Sequence, residues 1–227
     1  MKKDQSFFLD MGRVKQNITI QKISSVFQWA IESYNVNRIK QADLLPIVVL
    51  ALDHLLPDVV GNRPQKDFSL CVSPMKKGSR PKKVKTQNSN IWSEECLVDI
   101  NIMYGKTHPY ETVLTAESEG YENHAVALQK KGWQDDNNDM MWDLYKLLMI
   151  PSPIRFFVTR CSRNNQECLY KSTKAMVGAY AHKYPESIIC TVQMPTAQLK
   201  NAPATVAIWA KESGWNVDDE VIFSGAS

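Results

Sequence analysis

Residues 96–119 read CLVDINIMYGKTHPYETVLTAESE, and the fold turns on them. Two runs rich in Val, Ile and Thr flank the turn-forming cluster GKTHP, which is the pattern of a β-hairpin. A turn near Thr107 and His108 sets Asp99 opposite Glu117. Side chains alternate along a strand. Val98, Ile100, Ile102, Leu114 and Ala116 therefore point to one face, and Asp99, Asn101, Thr115, Glu117 and Glu119 to the other.

Carboxylates facing one another repel unless a proton or cation lies between them. A hard divalent ion, Mg²⁺ or Mn²⁺, suits such oxygen ligands, and it can polarise a phosphodiester and generate hydroxide at neutral pH. The bland alternative is a hairpin whose outer face is simply solvated.

Downstream, residues 120–138 lack a clear period and are expected to form a loop or short helix, carrying His124, over the open end of this site. Residues 138–149 then predict a helix that buries Met141, Leu144, Leu147 and Leu148 and sets Asp139, Asp143 and Lys146 on another face. Pro151 and Pro153 stop it. IRFFVT at 154–159 reads as a buried strand, so the helix makes a crossover connection within a sheet. Residues 166–184 predict a long helix with Lys171 and Lys174 outward. Residues 187–193, 205–209 and 220–223 are further strand candidates.

Upstream, Ile20, Ile23, Val26, Phe27, Ala30 and Ile31 recur at helical spacing, with Glu32 near the end of that helix. A second helix covers residues 39–56, with Pro57 expected to help end it. A lone His in such a helix is a packing residue by default, so His54 stays out of the site. DFSLCVS at 67–73 reads as a short strand. It leads into MKKGSRPKKVK, an exposed loop whose Lys76, Lys77, Arg80, Lys82, Lys83 and Lys85 could contact phosphates. Basic loops are also ordinary solvated surface, and this one has no base-stacking aromatics. Of Trp92, Trp133, Trp142, Trp209 and Trp215, most are expected in the core.

With 227 residues the chain can bury a large core, and its net charge of +3 permits a polyanionic partner without requiring one. The expected organisation is a helical segment over residues 1–60 packed on an α/β (α+β) core over residues 61–227, a central mixed sheet flanked by helices. The N-terminal apolar run is too short for a signal-peptide core, and no window reaches membrane-spanning length, so a cytoplasmic protein is expected. Five cysteines without CxxC spacing read as reduced core residues. No phosphate-cradling glycine loop, GxSxG or HExxH is present, which disfavours P-loop, serine-hydrolase and zincin chemistry.

The order helix, strand, strand, strand, helix, strand, with an acid on the second strand and two acids spaced ExE on the third, resembles the PD-(D/E)xK nuclease superfamily. The likeness covers about residues 39–160. It implies a restriction-endonuclease-like core and a Mg²⁺- or Mn²⁺-dependent nuclease acting on DNA. Asp99 and Glu117 would be metal ligands, with the backbone carbonyl of Ser118 and Glu32 of the early helix as further ones. Glu119 stands where lysine is usual and Val98 where proline is common. Lys146 from the following helix is the candidate replacement for the lysine. The basic loop, Lys171 and Lys174 would position nucleic acid, and a homodimer is compatible with such a core. The alternative is a catalytically inert module that keeps the nuclease fold and binds nucleic acid or a protein.

Overall fold

The computed structural model describes residues 9–35, 39–61, 67–72, 90–93, 97–105, 111–120, 139–161, 166–180, 183–195, 205–210 and 221–222. Helices come first, α1 (Met11–Asn17), α2 (Ile20–Tyr34) and α3 (Gln41–Val60). Asp10 caps α1 by accepting from Arg13 N, and Thr19 caps α2 by accepting from Lys22 N. The carboxylate of Asp43 reaches back to Lys40 N at the start of α3. Pro57 does not end α3, as its sequence position suggests. The helix runs on to Val60 and stops at Gly61, whose φ of +73° suits a residue without a Cβ.

Eight strands form one mixed sheet in the order β2-β1-β3-β4-β5-β6-β7-β8. They are β1 (Phe68–Val72), β2 (Asn90–Ser93), β3 (Ile100–Tyr104), β4 (Glu111–Gly120), β5 (Ile154–Cys161), β6 (Ile188–Pro195), β7 (Thr205–Trp209) and β8 (Val221–Ile222). β1, β3 and β4 are successively antiparallel, and β4, β5 and β6 are parallel. The parallel joins are made by α4 (Asp139–Met149) and α5 (Gln166–Tyr180). The short edge strand β2, parallel to β1, and helix α1 have no counterpart in the periodicity of the sequence.

The sheet divides two cores. On one face Ile100, Ile102, Leu114, Ala116, Phe156 and Val158 pack against α1, α2 and α3. On the other, Phe157, Ile189 and Trp209 meet Leu144, Leu147 and Leu148 of α4 and Leu169 and Val177 of α5. The alternative of a solvated outer face is not what the hairpin shows, because α4 lies over it and Thr115 and Glu117 are buried.

Two local irregularities reshape the hairpin. The pairing steps from Met103↔Thr112 to Ile102↔Leu114, which leaves Val113 as the extra residue of a bulge. From there Ile100 pairs with Ala116, and Asp99 is brought level with Glu117. Without the bulge the turn-end register would carry Asp99 to Ala116. Second, β3 starts only at Ile100, so strand alternation does not govern Val98. That side chain turns to the α4 core instead of joining Ile100 and Ile102.

Among the described residues no helix is long and apolar enough to cross a membrane. Cys71 and Cys190 are buried free thiols, and burial pushes the Cys190 thiol far up. His54 stacks on Trp29 with centroids 4.1 Å apart, a packing role.

Candidate functional site

Where β3 begins, its backbone leaves the ladder with β4 and the acids take over the pairing. Asp99 N donates to Glu117 Oε2 at 3.3 Å. The Asp99 carboxylate accepts at Oδ2 from Ser118 N at 3.0 Å and from Ser118 Oγ at 2.7 Å. Ser118 thus anchors Asp99 with its N–H and hydroxyl. Its peptide groups face the Asp99 side of β4, the side on which the expected carbonyl ligand would have to lie.

Glu117 is 3% exposed and lies beneath α4. Lys146, one turn before the end of α4, brings its ammonium 3.3 Å from Glu117 Oε1 and 2.6 Å from Asp143 Oδ1. The nearer carboxylate holds the ammonium. Its contact with Glu117 is an ion pair, and Oε1 has no aligned hydrogen bond. Burial first, then the charges of Asp99 and Asp143, push the Glu117 carboxyl up to about 8, and Lys146 only partly opposes them. Lys146 is itself held above its ordinary value by Asp143 and Glu117, which outweigh its partial burial.

Lys146 stays in place because α4 is clamped. Arg155, 1% exposed near the start of β5, donates from Nε to Leu147 O at 3.1 Å and from Nη2 to Ile150 O at 2.6 Å. Its Nη1 donates to Ser187 Oγ at 2.6 Å, and its guanidinium lies 4.6 Å from the centroid of the Tyr184 ring. A cation on the last carbonyls of a helix complements the helix dipole. Burial lowers the Arg155 guanidinium to about 10, so it remains charged at neutral pH. Within IRFFVT this arginine carried no sign of that role beyond being a charge in an apolar strand.

The remaining candidates distribute as follows. Glu119 follows Glu117 on the same face of β4, level with Thr159 of β5, and is partly buried. Glu32 does not join the site. It sits on α2, across the sheet, where it accepts from Gln28 Nε2 at 3.0 Å, because the helix face that carries it points away from the sheet. Lys171 is exposed on α5 and paired with Glu167 at 2.6 Å, and that pairing lowers the Glu167 carboxyl. Lys174 lies partly buried on the same helix. Lys76, Lys77, Arg80, Lys82, Lys83, Lys85 and His124 lie outside the described residues. Of the tryptophans, Trp209 is fully buried as expected, but Trp142 is not a core residue: it is 60% exposed. The side chains of Trp92, Trp133 and Trp215 fall outside the description.

Among the described residues no group of three or more His, Cys, Asp or Glu side chains forms a closed metal cage. The pair Asp99 and Glu117 nonetheless fits a hard cation that keeps most of its waters. Glu117 Oε1 is a buried carboxyl oxygen without an aligned hydrogen bond, and the local acids outnumber the one lysine beside them. Compared with known proteins, the chain matches no family model, no curated protein and no solved structure.

Proposed function

We propose that this protein is a metal-dependent nuclease that hydrolyses phosphodiester bonds in DNA, on a restriction-endonuclease-like core. The observation that carries the reading is the convergence of Asp99, Glu117 and Lys146 from three consecutive elements of the chain. The succession α3, β1, β3, β4, α4, β5 supports it, with α3 and α4 on opposite faces of the sheet. A divalent cation held by Asp99 and Glu117, with the Ser118 carbonyl as a further ligand, would supply Lewis-acid polarisation and a water of lowered pKa.

The residues of the chain supply the rest. Ser118 fixes the Asp99 carboxylate through two hydrogen bonds. Lys146 meets charge developing on the phosphoryl oxygens from a helix that Arg155 clamps. Glu119, beside Glu117 on the same face, holds the attacking water and accepts its proton. Glu117 gives up the proton that its raised affinity retains when the site takes up a cation, so binding is weaker below pH 8 and tightens as pH rises through it.

Two observations favour the second reading, an inert nuclease-fold module that binds nucleic acid or a protein. Lys146 lies nearer to Asp143 than to Glu117, and a carboxylate, Glu119, occupies the place of the usual lysine. The two readings part in one experiment. The thermal midpoint is measured with and without Mn²⁺ at fixed ionic strength, for wild type and for Asp99→Ala/Glu117→Ala, alongside a cleavage assay on DNA. A nuclease gains about 2.7 kcal/mol at a hundredfold excess of metal over Kd, loses that gain in the double variant, and cuts DNA only with metal. No Mn²⁺ shift together with no cleavage leaves the inert module.

A further inference from the structure

We infer that Trp142 is a base-stacking platform, and that the strand entering this site is single-stranded. The inference rests on the nuclease reading for the identity of the neighbouring phosphate site. Among the described residues the exposed large apolar side chains are Leu97 and Trp142, with Trp142 60% exposed. Leaving an indole in water on an otherwise well-buried amphipathic helix forgoes a large hydrophobic gain. The ring is not loose, however. It stacks on Tyr145 with centroids 5.3 Å apart and 24° between planes, and Tyr145 is held edge-on by Tyr180 of α5 at 5.2 Å. Lys183 places its ammonium 5.5 Å from the centroid of the Tyr180 ring. The result is a rigid aromatic strip from α4 to the end of α5, finished by a cation and open at the indole.

Its position gives the strip a use. Trp142 and Lys146 are four residues apart on one helix, so their side chains are neighbours at about 5–6 Å between Cβ atoms. That is the span of one nucleotide from base to phosphate. A base laid on the indole therefore sets its own phosphate beside the Lys146 ammonium, which lies 3.3 Å from Glu117 Oε1. Bases inside a duplex are already stacked on each other and cannot offer a face, whereas an unpaired base can, in any sequence. A cation at the end of the strip suits a backbone phosphate better than an apolar peptide.

The test is the binding of a short fluorescein-labelled oligothymidine and of a duplex of equal length to the full chain, followed by anisotropy in a chelator so that nothing is cut. The variants are Trp142→Ala and Trp142→Phe, and cleavage with Mn²⁺ and sedimentation are measured in parallel. Wild type should bind the single strand more tightly than the duplex. Trp142→Ala should weaken that binding about tenfold and Trp142→Phe much less, since a stacked base is worth roughly that factor or more. Equal binding by wild type and Trp142→Ala, or a preference for duplex, overturns the platform even if the protein cuts DNA. Tryptophan-dependent binding without any metal-dependent cleavage overturns the nuclease reading and keeps the platform. A wild-type dimer that Trp142→Ala turns into a monomer assigns the indole to self-association and overturns it.

Discussion

The two faces of the sheet are built to different standards. Against α1, α2 and α3 the sheet shows Ile100, Ile102, Leu114, Ala116, Phe156, Val158 and Val192, and the main buried cation on that side, Arg160, donates to Ile39 O at 2.7 Å. Against α4 and α5 it shows Thr115, Glu117, Arg155, Thr159, Thr191 and Gln193, all buried, among fewer apolar partners. Asn101, Thr115, Glu117, Thr159, Thr173 and Trp209 each bury a polar atom on that side without a hydrogen-bond partner. Such atoms cost stability in proportion to their desolvation. A chain that concentrates them on one face has one core built for apolar packing and another that carries buried polar groups at the expense of stability.

The contrast can be broken most strongly on the apolar side. Phe156 is fully buried and lies 6.4 Å from the Phe27 ring, so Phe156→Ala should cost about 3–5 kcal/mol in urea unfolding. A loss below about 1 kcal/mol would mean that this core is not the one that holds the fold.

Glu117→Gln tests the polar side. A carboxyl raised from 4.5 to about 8 binds its proton more tightly folded than unfolded. Its contribution is whole below the unfolded value and is lost as pH climbs through about 8. The glutamine variant has no such loss. It should match wild type near pH 4 and exceed it by about 2–4 kcal/mol near pH 9, measured as the difference between two pH-stability curves. Parallel curves would show that Glu117 ionises freely and that the site carries no stored electrostatic cost.

The smallest effect sharpens the comparison. Thr159 is fully buried with an unpartnered hydroxyl, so Thr159→Val should leave stability unchanged or raise it by about 0.5–1 kcal/mol. A clear loss would reveal a partner for that hydroxyl and remove one member from the polar row.

Much of this site was legible in the chain because strand and helix periods are local properties. The helix after the hairpin and the spacing of Asp143 and Lys146 follow from side-chain periods over a few residues, whereas the expected opposition of Asp99 to Glu117 is met only through the bulge in β4. β7 spans the residues its pattern marks, β5 runs two residues past its expected end, and β6 starts one residue later and ends two later than expected. What was not legible depends on contacts between distant segments. Val98 changes face because the ladder ends one residue after Asp99, and the bulge at Val113 restores the acidic pairing through backbone geometry that no composition rule encodes.

Coverage is also a tertiary matter. The acidic face of the hairpin reads the same whether water or a helix lies over it, and only the packing of α4 buries Glu117 and pushes its carboxyl up. Trp142 shows the reverse case, an aromatic residue that composition assigns to a core and that the docking angle of α4 leaves in solvent. The sequence by itself determined the elements other than α1 and β2, their order and the residues able to meet. The tertiary structure decided which of them are desolvated together, because burial and electrostatic coupling belong to the space between elements, and a one-dimensional pattern has no record of it.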